Sequence, residues 1–217
     1  AGRVLRLRAT DGGLEVSVLR GDGTTLTDAS ALTRLAHLHQ LRAGTQDAAA
    51  GDLAARTLAL VTSPDPVTVA ALAAHGIDTV LVPDTSAPGT ADMVEALDRA
   101  PGVERVGTTA AGALWRIRPE AGLPARARLV DGDTWSVVPS GSLGIDTTLA
   151  QGASGTLVLA ERADPGWRAT LDGVALAAAA PQDGWAQAFT VPGGKHLRVT
   201  FAPWWLWPWR VGVGLGL

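Results

Sequence analysis

The clearest alternation of polar and apolar positions runs from Ala163 to Phe201 and predicts antiparallel β-strands. The run Arg168-Ala169-Thr170-Leu171 alternates, and Asp172-Gly173 follows it. That dipeptide suits the two positive-φ positions of a type I′ hairpin turn. A second turn is predicted at Pro192-Gly193-Gly194-Lys195. In the last strand, one face carries Leu197, Val199 and Phe201, and the other carries His196, Arg198 and Thr200. The pattern therefore predicts a sheet with one buried face.

Patterns typical of helices stop at Pro119, and short alternating runs replace them. These runs cover residues 127–130, 135–138, 145–149 and 156–159, with Gly, Pro and Asp between them. Together with the hairpins above, they predict a jelly-roll-like antiparallel β-sandwich over residues 119–203.

Residues 57–118 have a different period. The short apolar run Thr57–Thr62 resembles a strand buried in a parallel sheet. Asp65-Pro66 then predicts the start of a helix that ends at Gly76, and Thr90 is predicted to cap a second helix ended by Pro101-Gly102. The remaining strands of this region are predicted at residues 79–82, 103–108 and 113–117. The order β-α-β-α-β-β indicates a small α/β subdomain, and the whole chain is predicted to be α+β.

The first 56 residues are predicted to join the two cores. They contain two strands, Val4–Arg8 and Leu14–Leu19, and a helix with leucines at 32, 35, 38 and 41. Residues 204–217 form a fourth segment, which is rich in tryptophan and carries no acidic residue.

Composition narrows the classes of function. Apolar residues make up 47% and charged residues 18% of the 217 positions, so the chain is expected to fold. A net charge of −3 gives no reason to expect nucleic acid as a partner. The absence of cysteine excludes disulfides, zinc thiolate sites and cysteine nucleophiles. Because the chain starts at Ala1 without Met and stops within an apolar run, we expect it to be part of a longer protein.

No catalytic constellation, metal site or cofactor site is predicted. There is no Gly-x-Ser-x-Gly elbow, and no histidine pair has a spacing that would place both rings on one ion. Asp131-Gly132-Asp133 has the Asp-x-Asp spacing used for divalent cations, but a surface β-turn explains it more simply. Trp167 and Trp185 are candidates for stacking on sugar rings, with Asp131 and Asp133 as accompanying glycan ligands. The alternative for Trp167 is a place inside the sandwich with Ala169 and Leu171.

The segment after Phe201 is the strongest functional feature. It places Trp204, Trp205, Trp207 and Trp209 within six residues, followed by Arg210. Indole rings prefer the headgroup level of a bilayer, and an arginine there extends towards lipid phosphates. We therefore predict a membrane-interface segment at the start of a transmembrane helix. The alternative is a further strand, because Val211, Val213, Leu215 and Leu217 alternate with glycine.

Several of these motifs resemble one protein family. The motifs are Asp164-Pro165-Gly166-Trp167, Asp172-Gly173, Val191-Pro192-Gly193-Gly194-Lys195-His196, Gly76-Ile77-Asp78-Thr79-Val80 and Gly112-Ala113-Leu114-Trp115-Arg116-Ile117. These motifs precede a tryptophan-rich membrane entry. Together they resemble the C-terminal extracytoplasmic region of large actinobacterial polytopic membrane glycosyltransferases. That group includes proteins with a family 2 glycosyltransferase domain and the related YfhO-type membrane proteins.

The resemblance implies a non-catalytic domain of a glycosyltransferase that assembles cell-envelope polysaccharide. In that family the sugar-transfer chemistry would lie in parts that this chain lacks. The expected place is the extracytoplasmic face of the cell membrane, where the domain binds or orients acceptor glycan or braces the membrane domain. The expected partners are membrane lipid, the parent protein's transmembrane domain and a glycan. The alternative is a free carbohydrate-binding or adhesion module of a secreted protein.

Overall fold

The structure is a computed structural model that describes residues 2–11, 13–20, 47–120, 123–141 and 144–202. The predicted helix through Leu32 and the membrane-interface segment at residues 204–210 lie outside the described residues. The described residues form 14 strands and three helices, which confirms the α+β prediction. The chain divides into two compact units, Ala1–Ala127 and Arg128–Leu217.

The first unit is a five-stranded mixed sheet with three helices. In chain order its elements are β1 (Arg3–Thr10), β2 (Gly13–Arg20), α1 (Ala48–Thr62), α2 (Pro66–Ala74), β3 (Ile77–Val82), α3 (Thr90–Arg99), β4 (Val103–Thr109) and β5 (Gly112–Ile117). The strand order is β2-β1-β3-β5-β4, and only the β1–β3 pairing is parallel among the described strands. The first two strands, which we predicted to join two cores, therefore belong to this sheet.

The strand predicted at Thr57–Thr62 is wrong, because these residues form the last part of helix α1. Asp47 caps this helix, accepting a hydrogen bond from the Ala50 N–H at 3.0 Å. The alanine-rich residues before Thr57 favour helix, and the helix continues from them through Thr62. Thr57 and Leu60 face the core, whereas Leu58 is 58% exposed. A six-residue apolar run fits one face of a helix as well as a buried strand, so the pattern alone did not decide between them.

The predicted cap of α3 is also wrong. Gly89, at φ 77°, occupies the N-cap position, and Thr90 is the first helical residue. The Thr90 side chain is fully buried, and its hydroxyl has no hydrogen-bond partner among the residues that the structure describes. The prediction for α2 is confirmed. The Asp65 carboxylate accepts a hydrogen bond from the Thr68 N–H at 2.6 Å. This bond, together with a hydrogen bond from the Thr68 side chain, holds the pKa of Asp65 below its ordinary value.

The core of the first unit takes residues from the sheet and from all three helices. Leu5, Val80 and Trp115 lie directly opposite one another on β1, β3 and β5. Helix residues of the same cluster include Leu60, Leu72 and Leu97, all fully buried. These aliphatic side chains cover one face of the sheet and drive its folding by leaving water.

His75, at the end of α2, is the one imidazole in the core of this unit among the described residues. It is 4% exposed, and its Nε2 lies 2.8 Å from Oδ2 of Asp52, which also pairs with Arg56. Burial lowers the pKa of His75, and the hydrogen bond and charge of Asp52 oppose that shift. The unfolded chain therefore takes up this proton at higher pH than the folded chain does.

This shift predicts acid sensitivity. With a depressed folded-state pKa, the His75 contribution to stability is complete above the ordinary histidine pKa of about 6.5 and is lost as the pH falls below it. The free energy of unfolding should fall more steeply towards pH 5 in the wild type than in a His75→Gln variant. The difference in slope is at most about 1.4 kcal/mol per pH unit, the limit for one proton. Urea titrations at several pH values measure it, and equal slopes would contradict the assignment.

The second unit is a β-sandwich of two antiparallel sheets, as predicted. Its strands are β6 (Ala127–Asp131), β7 (Thr134–Val137), β8 (Ile145–Thr148), β9 (Gly155–Arg162), β10 (Trp167–Leu171), β11 (Val174–Ala175), β12 (Ala178–Gln182), β13 (Ala186–Val191) and β14 (His196–Phe201). One sheet has the order β12-β13-β9-β6-β7 and the other β11-β10-β14-β8. The described chain crosses several times between the two sheets, as in a jelly roll. The hairpin predicted at Asp172-Gly173 is confirmed, because it joins β10 to β11 in one sheet. The turn predicted at Pro192–Lys195 instead joins β13 of one sheet to β14 of the other, so the strands from Ala163 to Phe201 do not form the one sheet that the alternation predicted.

Candidate functional site

The motif Asp164-Pro165-Gly166-Trp167 forms a tight turn at the start of β10. The Asp164 carboxylate accepts from the Gly166 N–H at 2.6 Å, and the Asp164 carbonyl accepts from the Trp167 N–H at 3.1 Å. The Ala202 N–H donates to the Gly166 carbonyl at 2.8 Å. The turn is therefore bonded to the chain just after β14 ends, and so lies immediately before the tryptophan-rich segment.

Trp167 is half-buried in this turn. Its ring centroid lies 4.9 Å from that of Phe201, with the planes tilted by 54°, and its Nε1–H donates to the Arg162 carbonyl at 3.3 Å. Ala169 and Leu171 are buried on the same side of β10, at 3% and 5% exposure. The packing interpretation therefore accounts for much of this ring, and only part of its surface is open to a ligand.

Trp185 is a core residue in this structure. It is 4% exposed, so its ring offers no open face on which a sugar could stack. Its backbone is also engaged: the Ala163 N–H donates to the Trp185 carbonyl at 2.7 Å. The sequence predicted a stacking platform here because exposure depends on the neighbouring strands, which the local pattern does not show.

Asp131 and Asp133 flank the tip of the β6–β7 hairpin. Gly132, at φ 57°, takes the first central position, as in a type II′ turn, and Asp131 pairs with Thr134. Both carboxylates are exposed. Within residues 2–11, 13–20, 47–120, 123–141 and 144–202, no group of three or more acidic or histidine side chains is placed to hold a metal ion. The geometry is that of a surface β-turn.

The four predicted glycan ligands do not form one cluster. Gly155, at the start of β9, lies against the backbone of Val130 and Asp131. At the other end of the same strand, the Arg162 carbonyl accepts a hydrogen bond from the indole N–H of Trp167. The next residue, Ala163, donates its N–H to the Trp185 carbonyl. The eight residues of β9 span about 25 Å. The tryptophans therefore occupy one end of the sandwich, and the two aspartates occupy the other.

We call the end with Trp167, Phe201 and Ala202 the base, and the end with Asp131 the far end. At the far end, Asp172 joins the two turns that resemble the glycosyltransferase motifs. Its carboxylate accepts from the His196 N–H at 2.8 Å and the Lys195 N–H at 2.9 Å. These backbone hydrogen bonds hold the pKa of Asp172 below its ordinary value. Asp172 and Gly173, at φ 52° and 83°, confirm the type I′ turn.

Sequence reasoning missed the partner that completes this far-end group. His196 Nε2 lies 2.8 Å from Oδ1 of Asp146 on the neighbouring strand β8. The two residues are 50 positions apart, and no spacing in the chain indicated that they meet. The two turn motifs at Asp172-Gly173 and Lys195-His196 therefore have a structural role, because hydrogen bonds hold them together across the sheet.

Among the described residues, none of the helices has the length and apolar character needed to cross a bilayer. Trp204, Trp205, Trp207, Trp209 and Arg210 lie outside this part of the chain. Comparisons with models of protein families, with curated proteins and with solved structures found no match. The resemblance to membrane glycosyltransferases therefore rests on the sequence motifs themselves.

Proposed function

We propose that this chain is a non-catalytic extracytoplasmic domain of a membrane glycosyltransferase that assembles cell-envelope polysaccharide. In this proposal the base of the sandwich faces the membrane. The domain has one of two roles: it binds or orients acceptor glycan, or it braces the transmembrane domain. The segment from Trp204 to Arg210 lies at the lipid headgroups, where indoles and arginine are both favoured.

One observation carries this proposal: the base of the sandwich is where the chain leaves for the tryptophan-rich segment. The N–H of Ala202, which is two residues before Trp204, donates a hydrogen bond to the Gly166 carbonyl at 2.8 Å. The Phe201 and Trp167 rings pack together at the same end. Trp204 follows Ala202 by two positions, so the tryptophan-rich segment begins directly after this base along the chain.

The proposal predicts binding to lipid through the four tail tryptophans. The 217-residue chain should co-sediment with vesicles of phosphatidylcholine and phosphatidylglycerol. Replacing Trp204, Trp205, Trp207 and Trp209 by serine should move most of the protein to the supernatant, because the buried indole area provides the binding free energy. Centrifugation and quenching of tryptophan fluorescence by brominated lipid both measure this change.

A matched control is Trp135→Ser, which removes a half-buried tryptophan from β7 and leaves the tail intact. This variant should sediment with vesicles as the wild type does. If the wild-type chain stays in the supernatant, or if the tail variant still pellets, the membrane assignment is wrong. A chain that ignores vesicles but binds glycan would fit the alternative, a carbohydrate-binding module of a secreted protein.

A further inference from the structure

The sheet β11-β10-β14-β8 presents an open, polar outer face. Pairing in the sheet places Arg168 opposite Thr200, Arg198 opposite both Thr170 and Asp146, and His196 opposite Thr148. All of these residues are exposed except Thr170, which is half-buried. By contrast, four successive residues of β9 in the other sheet, Leu157–Ala160, are all buried, so both sides of that strand are covered. The outer face of the sheet β11-β10-β14-β8 is therefore accessible, and among the described residues it carries no large apolar side chain.

This face holds two arginines without carboxylate partners among the described residues. The Arg168 guanidinium donates to the carbonyls of Pro165 and Trp167. The Arg198 guanidinium forms no ion pair or hydrogen bond with the described residues. They are diagonal neighbours on β10 and β14, a relation that separates residues by about 7–8 Å. The one carboxylate of the face, on Asp146, contacts His196 at 2.8 Å.

These positions suit anionic groups attached to a hydroxyl-rich chain. Guanidinium groups bind carboxylates and phosphates through paired N–H donors. The hydroxyls of Thr170 and Thr200 lie directly across from the two arginines and add neutral donors and acceptors. The whole chain has a net charge of −3, so a positively charged face is a local feature rather than a general property.

We propose that this face, which we call the arginine face, binds an acidic polysaccharide through its carboxylate or phosphate groups. The proposal deepens the proposed function, on which it rests for the presence of an envelope glycan. Arg168 and Arg198 each hold an anionic group, and the threonines contact sugar hydroxyls. An anionic bilayer fits less well, because surface-binding segments insert apolar side chains beside their cations, and this face has none.

The test measures binding of the 217-residue chain to three polymers: polygalacturonate, a poly(glycerol phosphate) and neutral dextran. Isothermal titration at about 50 and about 300 mM salt should show binding to at least one acidic polymer that weakens with salt, and none to dextran. Arg168→Gln with Arg198→Gln should weaken it about tenfold, three- to fivefold for each exposed ion pair lost. Asp146→Asn should strengthen it, because a negative charge leaves the face.

The matched control is Arg99→Gln, an exposed arginine of α3 that pairs with Glu95 at 3.2 Å in the other unit. Its affinity should equal that of the wild type. Since Asp146→Asn predicts a gain, misfolding of the arginine variants cannot imitate the full pattern. The proposal is overturned by equal binding to dextran, by no binding to any polymer, or by unchanged binding in the double variant. It is also overturned if the two arginines are needed for vesicle binding only.

The two proposals fail in different assays. Loss of the glycan result with tail-dependent vesicle binding intact removes the arginine face and leaves the membrane domain assignment standing. Loss of vesicle binding with arginine-dependent glycan binding intact removes the membrane assignment. Because the tail tryptophans and the arginine face are changed separately, each variant reports on one proposal.

Discussion

Replacing Trp115 with alanine should destabilise the first unit by about 3–5 kcal/mol, the usual range for a large aromatic residue removed from a core. Trp115 is fully buried and lies opposite Val80 on β3. Its Nε1–H donates to Oδ1 of Asp98 at 2.7 Å, and the Arg105 guanidinium lies 5.1 Å from the ring centroid. Alanine leaves a cavity and removes both polar contacts. Chemical denaturation followed by far-ultraviolet circular dichroism measures the loss.

A Trp115→Phe variant separates packing from the hydrogen bond. Phenylalanine keeps much of the apolar volume but has no N–H, so it should cost about 1–3 kcal/mol, the value for a hydrogen bond to a charged group plus imperfect filling. Asp98 retains its ion pair with Arg105 at 2.9 Å, which limits the penalty. If the alanine variant were no less stable than the phenylalanine variant, the ring would not be a core element.

The second large effect is expected for Gly112→Ala, at the start of β5. Gly112 has φ 131°, a region that residues with a Cβ rarely adopt. A Cβ there would lie 2.3 Å from the Val82 carbonyl oxygen and 2.5 Å from the Pro83 Cα, both backbone atoms that cannot move alone. Backbone strain and overpacking each cost about 1–3 kcal/mol. We expect a loss of about 4 kcal/mol in urea denaturation.

Gly13→Ala is the matched control for this steric effect. Gly13 starts β2 in the same sheet and has φ 127°, but a Cβ there meets nothing within 4 Å. The two variants therefore share the backbone cost, and only Gly112→Ala adds the clash. A difference of about 1–3 kcal/mol between them is expected from overpacking. Equal losses would show that β3 and β5 do not approach as closely as described.

Local patterns were enough to predict most of the strands. The type I′ turn at Asp172-Gly173 requires two positive-φ residues, and few dipeptides adopt them at low cost. The Pro192–Lys195 turn and the alternation in β14 likewise follow from neighbouring residues alone. The Asp172-Gly173 prediction was confirmed because a hairpin is stabilised by contacts close in sequence. The residues around Pro192–Lys195 did not indicate that β13 and β14 belong to different sheets, because that depends on pairing with distant strands.

Helix α1 shows where local pattern was insufficient. Thr57–Thr62 is apolar enough for a buried strand, yet the Asp47 cap and the alanine-rich turns before it extend the helix through this run. The parallel neighbour of β3 in the sheet is β1, which lies more than 60 residues before β3 in the sequence. No short-range signal identified that parallel pairing, because parallel neighbours are joined only through long connections.

By itself the sequence determined the α+β class, the hairpin at Asp172-Gly173 and the tryptophan-rich segment after Phe201, since each depends on residues a few positions apart. Only the tertiary structure decided that Trp185 is buried, that Asp131 and Trp167 lie at opposite ends of the sandwich, and that Arg168 and Arg198 share an open face. These outcomes depend on which strands pair and on what covers each sheet. Such contacts join residues distant in the chain, and their burial and charge exist only once the sheets have formed.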